Sequence, residues 1–372
     1  LRVDLVLKMS IDLTQPPRKV LMIKAHSMGI GDILRSSAAW RAMKDSWPGV
    51  ELHLLFLSRH AGYPSESLIH QHHLLSSATF LTIREGVPYA EDVRKVPNWK
   101  ILHQVWDLSR SLQPDWVIDF EWAGSRTSVV TAVASMACGA QSLGIQQFPM
   151  RGMFYTHTAP STSSFAKKHG LTEPFDYTFR DFVVLEPWDI FRGETAIELR
   201  PDASSVAWVS SQITPKSERL RVGLNIGCAT FGASHKRMPL DQLARCFKQW
   251  MSAQPLEIIL TGAPNEREFN QQFIAFLKEQ GGDVDHVIDM AGQTNMLTLT
   301  ALIDACEIFV SSDSGPYHMA VALKKPTLCW LMYEEKTSFH QHPWVRCLVN
   351  PSTEAFMASI HELSLQMVEQ HA

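Results

Sequence analysis

Short, nearly unbroken apolar runs recur along the chain, each leading into a turn and then a segment of helical period. KVLMIKA at 19–25 runs into HSMGIGD, then into the helical stretch ILRSSAAWRAMKDSW, which Pro48-Gly49 stops; ELHLLFL at 51–57 follows. Strand, glycine-bearing turn, helix and strand in that order open a parallel α/β domain. TFLTIR (79–84), WVIDF (116–120) and MFYTHTA (153–159) extend the series, and Arg126 to Ala140 reads as a buried helix rich in Ala, Val and Ser. Over 186–202 the pattern lapses into proline and charge, which places the domain boundary there.

The pattern then restarts with RVGLNIG (221–227) and continues through LEIILTG (256–262), HVIDMAG (286–292), EIFVSSD (307–313), PTLCWLM (326–332) and VRCLVN (345–350). A helix at 240–251 aligns Leu240, Leu243, Phe247 and Trp250; the helix after Pro264 aligns Phe269, Phe273, Phe276 and Leu277. A last helix near 353–369 aligns Phe356, Ile360, Leu363 and Met367. Strands apolar on both faces that alternate with amphipathic helices predict parallel sheets covered on both sides. The expected fold class is therefore α/β, with two Rossmann-like domains, 1–190 and 191–372, facing a cleft. The last helix belongs to the second domain or packs back on the first. Ligands of such sheets sit beyond the carboxyl ends of the strands, so the chemistry is sought in those turns.

Composition narrows the class. The chain has 372 residues, which at roughly 150 per domain fits two domains. Apolar residues make up 45% and charged residues 19%, excluding a disordered chain, a collagen and a coiled coil. The net charge of −4 gives no nucleic-acid footprint. Cysteines stand at 138, 228, 246, 306, 329 and 347, too far apart for a redox pair or a zinc ribbon, and read as buried thiols of a reducing compartment. No apolar run is long enough to span a bilayer, and Asp4, Lys8 and Asp12 interrupt the first apolar stretch, so a cytoplasmic protein is expected, able to dock on a membrane surface.

Three turns carry candidate chemistry. In HSMGIGD, Gly29 and Gly31 permit a tight backbone and Asp32 falls at the start of the first helix, either as a helix cap or as a carboxylate facing the cleft. A dinucleotide fingerprint is absent, because Leu34 stands where its third glycine belongs and Glu51 begins its strand rather than ending it. In SSDSGPYHMAVAL (311–323), Ser314 and Gly315 form the turn and Pro316 opens a helix whose start suits a phosphate. Asp313 would repel that phosphate and is better placed to hold sugar hydroxyls; the competing reading is a plain Asp-Ser cap, and for His318 a packed histidine. In GASHKRMP (232–239), Lys236 and Arg237 follow a strand's carboxyl end, where a cation neutralises a diphosphate; the competing reading is solvated surface. The histidines of IHQHHLL (His70, His72, His73) and FHQHPW (His340, His342) lack a nearby Cys, Asp or Glu at ligand spacing, so no metal site is assigned to them.

MGIGD, KRMP and DSGPYH, in that order, resemble the motifs of glycosyltransferase family 9, the heptosyltransferase group. GAPNERE (262–268), DFEWAGSRTSVVTAVA (119–134) and the stretch DMAGQTNMLTLTALIDACEIFVSSDSGPYHMAVALKKPTL are similar to further family segments. The likeness spans most of 19–332 and thins between 58 and 115. Met238 stands where the family carries an aromatic, and WLMYEEKTSFHQHPW lacks the family's Gly-Pro-Thr turn. The resemblance implies the two-domain glycosyltransferase B fold and an inverting, metal-independent transfer with no cofactor. It implies that Asp32 is the catalytic base and that Lys236, Ser314 and Gly315 contact the diphosphate. It further implies that Asp313 touches the donor sugar, with His318 in the same signature, that Glu266 meets a ribose, and that Met296 or Leu297 lines an adenine pocket.

The partners implied are a nucleotide sugar, ADP-heptose foremost, and a lipid-linked acceptor of the lipopolysaccharide core or a protein acceptor, with peripheral contact at the inner membrane. The N-terminal domain is implied to bind the acceptor and the C-terminal domain the nucleotide sugar. Arg35, Arg59, His60 and Arg126 are candidates to meet an anionic acceptor, or are solvated surface. Two other functions fit the same fold, a nucleotide-sugar epimerase and a non-catalytic nucleotide-sugar binder.

Overall fold

The computed structural model describes residues 15–371 apart from 26–28, 60–61, 63, 86–93, 123–124, 214, 216–217, 228–233 and 334–339. The extension 1–14, the opening of the HSMGIGD turn, His60, Cys228 and residues 334–339 of the segment after Trp330 fall outside the described residues. The chain divides into two compact units, Leu1–Thr195 and Ala196–Ala372.

In the first unit the order is β1 (Lys19–Ala25), α1 (Ile30–Leu34), α2 (Ser36–Ser46), β2 (Glu51–Ser58), α3 (Pro64–His70), β3 (Ser77–Thr82), β4 (Arg84–Glu85), β5 (Arg94–Lys95) and α4 (Asn98–Leu112). It continues through β6 (Trp116–Asp119), α5 (Ser125–Cys138), β7 (Gln141–Ile145), β8 (His157–Ala159), α6 (Thr162–Lys168) and α7 (Phe179–Val183). Six strands form a parallel sheet in the order β3-β2-β1-β6-β7-β8, and β4 and β5 make a separate antiparallel hairpin. Val20 to Ile23 of β1 are fully buried, as a central parallel strand covered by helices on both faces requires.

The second unit repeats the plan: α8 (Ala203–Gln212), β9 (Leu220–Asn225), α9 (Leu240–Ala253), β10 (Leu256–Leu260), α10 (Arg267–Glu279), β11 (Val287–Asp289) and α11 (Met296–Asp304). β12 (Ile308–Ser312), α12 (Gly315–Ala322), β13 (Thr327–Leu331), β14 (Val345–Val349) and α13 (Thr353–His371) complete it. Its sheet runs β11-β10-β9-β12-β13-β14, again all parallel. Both sheets therefore have the doubly wound order in which the first strand lies beside the fourth, and a crevice opens at the carboxyl ends where the order reverses. That point lies between β1 and β6 in one unit and between β9 and β12 in the other.

Two helical and strand readings need correction, and the last helix takes one of its two expected places. MFYTHTA is not one strand: Arg151–Phe154 is a turn of 3-10 helix and only His157–Ala159 pairs in the sheet, while QSLGI, too small and polar to stand out, supplies β7. On α10, Phe273 and Leu277 are buried but Phe276 is exposed; Asn270 occupies the inner face instead, donating to Thr261 O and Asp289 Oδ1. α13 packs on α9, with Phe356 against Phe247, Trp250 and Trp330 in the core of the second unit. Met367 is among residues whose side chains are not described.

Candidate active site

In the first unit, β1 delivers the chain to α1. Gly29 occupies the N-cap and Asp32 is the third residue of the helix, so Asp32 is not the cap. Its side chain is 18% exposed, and Oδ1 accepts from Arg35 Nη1 at 3.3 Å and from Tyr177 Oη at 3.4 Å. Arg35, a candidate for acceptor contact or surface, is instead buried: Nε donates to Asp181 at 3.3 Å and its guanidinium faces the Tyr177 ring. Asp181, in α7, also accepts from Ser36 Oγ at 2.7 Å and from Lys24 Nζ at 3.4 Å. Lys24 has no exposed surface and stands 4.0 Å from Glu121 Oε1, which accepts from Ala25 N.

Burial works against charge throughout this network, and pairing decides the outcome. It opposes the Arg35 cation, but Asp181, Asp32 and Glu121 outweigh it and lift the guanidinium pKa further. Burial raises the Glu121 pKa despite Lys24 and Arg35. It lowers that of Arg180, with repulsion from Arg35 adding to it, and Arg180 lies over the Trp122 ring at 4.6 Å. The network thus holds a partly exposed carboxylate at the switch point of the first sheet. Arg59 is half-buried, His60 is outside the described residues, and Arg126 is exposed.

In the second unit, a 3-10 turn at Ser234–Lys236 brings Lys236 Nζ to 2.5 Å from Asp313 Oδ2. Asp313 follows β12, and its Oδ1 lies 4.0 Å from His318 Nε2; His318 Nδ1 is 2.9 Å from His340 Nε2. Ser314 takes the N-cap of α12, with Gly315 and Pro316 the first helical residues, but its side chain does not cap the helix. It turns back to Ser312 O and accepts from Asn225 Nδ2 at 3.2 Å. The start of α12 carries no side-chain cap, a setting suited to an anion.

Glu266 joins this cluster through Gly227. Gly227 O accepts from Asn225 Nδ2 and Ser312 Oγ, and a Cβ at Gly227 would collide with Glu266 Oε1. Glycine is needed there for close approach, not for its dihedrals. Glu266 is 5% exposed; Oε2 accepts from Ala263 N at 2.7 Å, while Oε1 is buried without a hydrogen-bond partner. Burial raises its pKa, with the Ala263 amide and Arg237 opposing. Arg237 lies over the Phe269 ring, and its Nε is likewise buried and unpartnered. Two buried polar atoms without hydrogen-bond partners, on side chains that attract each other electrostatically, point to a ligand that supplies those partners.

Lys236, Asp313, Ser314, Gly315 and His318 are therefore brought together, with Glu266 adjoining. Met296 opens α11, half-buried, with Leu297 exposed beside it. Met238 is 1% exposed and packs in the core rather than beside a ligand. The described cysteines are all free thiols, with Cys246, Cys306 and Cys329 buried. His72 meets Trp40 edge-on, His73 stacks on His72, and His342 stacks on Trp344. The residues missed from sequence were Lys24, Tyr177, Asp181 and Asn225. Lys24 had one signal: it is a charge set in the apolar run VLMIKA.

Residues 182–352 match the family model of glycosyltransferase family 9 (heptosyltransferase). This part of the chain is similar to that family. The Lys236–Asp313 pair, the α12 start and Glu266 all lie inside it. Lipopolysaccharide heptosyltransferase 2 of Escherichia coli K12 is 29% identical over 129 residues, 35% of this chain and 36% of that protein. The aligned stretch thus spans about a third of that relative's length. Among solved structures, E. coli ADP-heptose lps heptosyltransferase II aligns over 95% of this chain and 100% of its own, with a TM-score of 0.63 and 18% identity. The E. coli heptosyltransferase WaaC solved with ADP covers 94% and 99%, with a TM-score of 0.61 and 13% identity. The fold is the glycosyltransferase B fold of these structures. No helix among the described residues is long and apolar enough to cross a membrane.

Proposed function

We propose that this chain is an inverting glycosyltransferase that moves a sugar, a heptose from ADP-heptose, onto a hydroxyl of a lipopolysaccharide-core or related acceptor. The observation that carries the reading is the Lys236–Asp313 pair at the uncapped start of α12, inside the stretch similar to family 9. A cation beside free helix amides fits a diphosphate, and a carboxylate beside them fits sugar hydroxyls.

In this reading Asp32 accepts the proton of the acceptor hydroxyl as its oxygen attacks the anomeric carbon. The bond from that carbon to the diphosphate oxygen breaks on the opposite side, which inverts the centre. Lys236 and the Ser314 and Gly315 amides meet the charge that grows on the departing diphosphate, a task that otherwise falls to a metal ion. Asp313 and His318 face the sugar, the unpartnered Glu266 Oε1 takes a ribose hydroxyl, and Met296 lines the base. The first unit holds the acceptor and the second the donor. A lipid-linked acceptor brings the chain to the cytoplasmic face of the inner membrane; a protein acceptor keeps it in solution.

A donor screen tests this. Binding to the native state raises the melting temperature, so ADP-heptose is expected to give the largest shift among ADP-, GDP-, UDP- and dTDP-sugars. Asp32→Asn should keep that shift and lose transfer; undiminished turnover in the variant would remove Asp32 as the base. The family match favours transfer over epimerisation. An epimerase would convert the nucleotide sugar with no acceptor present, and a non-catalytic binder would release no nucleoside diphosphate with any acceptor.

A further inference from the structure

The loop between β7 and β8 displays apolar side chains that the fold does not use. Phe148 is 49% exposed, Met150 74% and Met153 70%, within six consecutive residues that also include exposed Pro149. Poor anchoring does not account for this. Arg151, in the middle of the loop, is 5% exposed and pinned: Nε donates to Ser128 Oγ at 3.0 Å and to Tyr155 Oη at 3.1 Å, and Nη2 to Asp119 Oδ2 at 3.0 Å and to Glu121 O. Tyr155 fits because Gly144 of β7 has no side chain; a Cβ there would run into its ring. The loop is a firm platform.

Met150 adds an independent mark. Its backbone is left-handed, with φ at 65°, which costs a non-glycine residue free energy and which Gly or Asn would adopt more readily. A strained backbone that points a large apolar side chain at water stabilises nothing in the unit itself. Such residues persist where a partner covers them.

Charge identifies the partner. From Trp122 to Thr172 the chain has no Asp or Glu, yet carries Arg126, Arg151, Lys167 and Lys168. Arg126 and Lys167 are exposed; Lys168 pairs with Glu186. Arg126 lies two residues from Ser128, which holds the loop, and α6, which carries Lys167, is tied to the loop where Thr162 N donates to Gln147 Oε1 at 3.0 Å. The loop leaves β7 at the carboxyl end of the parallel sheet, the end at which β1 leads to Asp32. We propose that Phe148, Met150 and Met153 insert into the interface of an anionic lipid bilayer, with Arg126 and Lys167 meeting its phosphates. Apolar insertion with flanking cations is one way in which a protein surface holds a membrane without spanning it. The inference deepens the membrane partner proposed above, and its readout needs no sugar transfer.

The test is co-sedimentation of the full chain with phosphatidylcholine vesicles and with vesicles containing phosphatidylglycerol, without substrates. Binding is expected to the anionic vesicles, weakening as salt rises. The Phe148→Ser/Met150→Asn/Met153→Ser variant should partition at least about tenfold less, while its melting temperature is not lowered, because Asn suits the left-handed backbone. Failure of the parent chain to bind either vesicle would overturn the proposal. So would equal binding by the variant, or a dimer in gel filtration that the variant abolishes, since that would make the loop a protein interface. Loss of sugar transfer with vesicle binding intact would overturn the function proposed above and leave this inference standing.

Discussion

Lys236 and Asp313 form a close ion pair at the carboxyl edge of the second sheet, Nζ to Oδ2 at 2.5 Å, although they stand 77 positions apart. The pair has two consequences. Asp313 neutralises Lys236 at the residue that leads into α12, and under the proposed function it competes with a diphosphate for that cation.

Lys236→Ala is expected to lower transfer by on the order of 10²-fold, the loss typical of one donor to a developing oxyanion. Asp313→Asn should act oppositely on the product. With the competing carboxylate removed, Lys236 binds ADP more tightly, a change that titration calorimetry reads directly. Weaker ADP binding in this variant would mean that Asp313 serves to position Lys236 rather than to hold sugar hydroxyls.

Asp181 is the hub of the first unit's charge network. Asp181→Asn leaves Lys24 and Arg35, both buried, short of a carboxylate, so a loss of about 3–5 kcal/mol in unfolding free energy is expected. Urea unfolding measures it. A change below about 1 kcal/mol would place the anchoring of Arg35 on Asp32 and Tyr177 instead.

Glu266 predicts a pH signature. Burial raises its folded pKa above the usual 4.5, so its contribution to stability is full below the unfolded pKa and is lost as pH rises through the folded value. Glu266→Gln removes that loss. Its melting temperature should match the parent's near about pH 4 and exceed it near about pH 8. A difference independent of pH would show that Glu266 carries no ionisation penalty.

How far the chain could be read follows from where each residue's partners lie. The central strands were legible because helices cover both faces, so Val20 to Ile23 or Ile308 to Val310 must be apolar without interruption. The amphipathic helix α4, with Ile101 and Val105 buried, and the short strand β7 went unread, one inside a stretch that yielded no motif and the other because Gln141 and Ser142 dilute its apolar signal. Phe276 was misplaced because α10 buries a polar residue, Asn270, that repays burial with hydrogen bonds.

The sequence by itself determined the strand–turn–helix units and the turns that carry Asp32, Lys236 and Asp313–Gly315, because a turn at a strand's end is a local property of a few adjacent residues. Which charges meet is set by the fold. Lys24 and Asp181 lie 157 positions apart, and Asn225 reaches Ser314 across 89. A buried charge needs a partner of opposite sign, but nothing local says which, since the partner is chosen by the order in which parallel strands assemble.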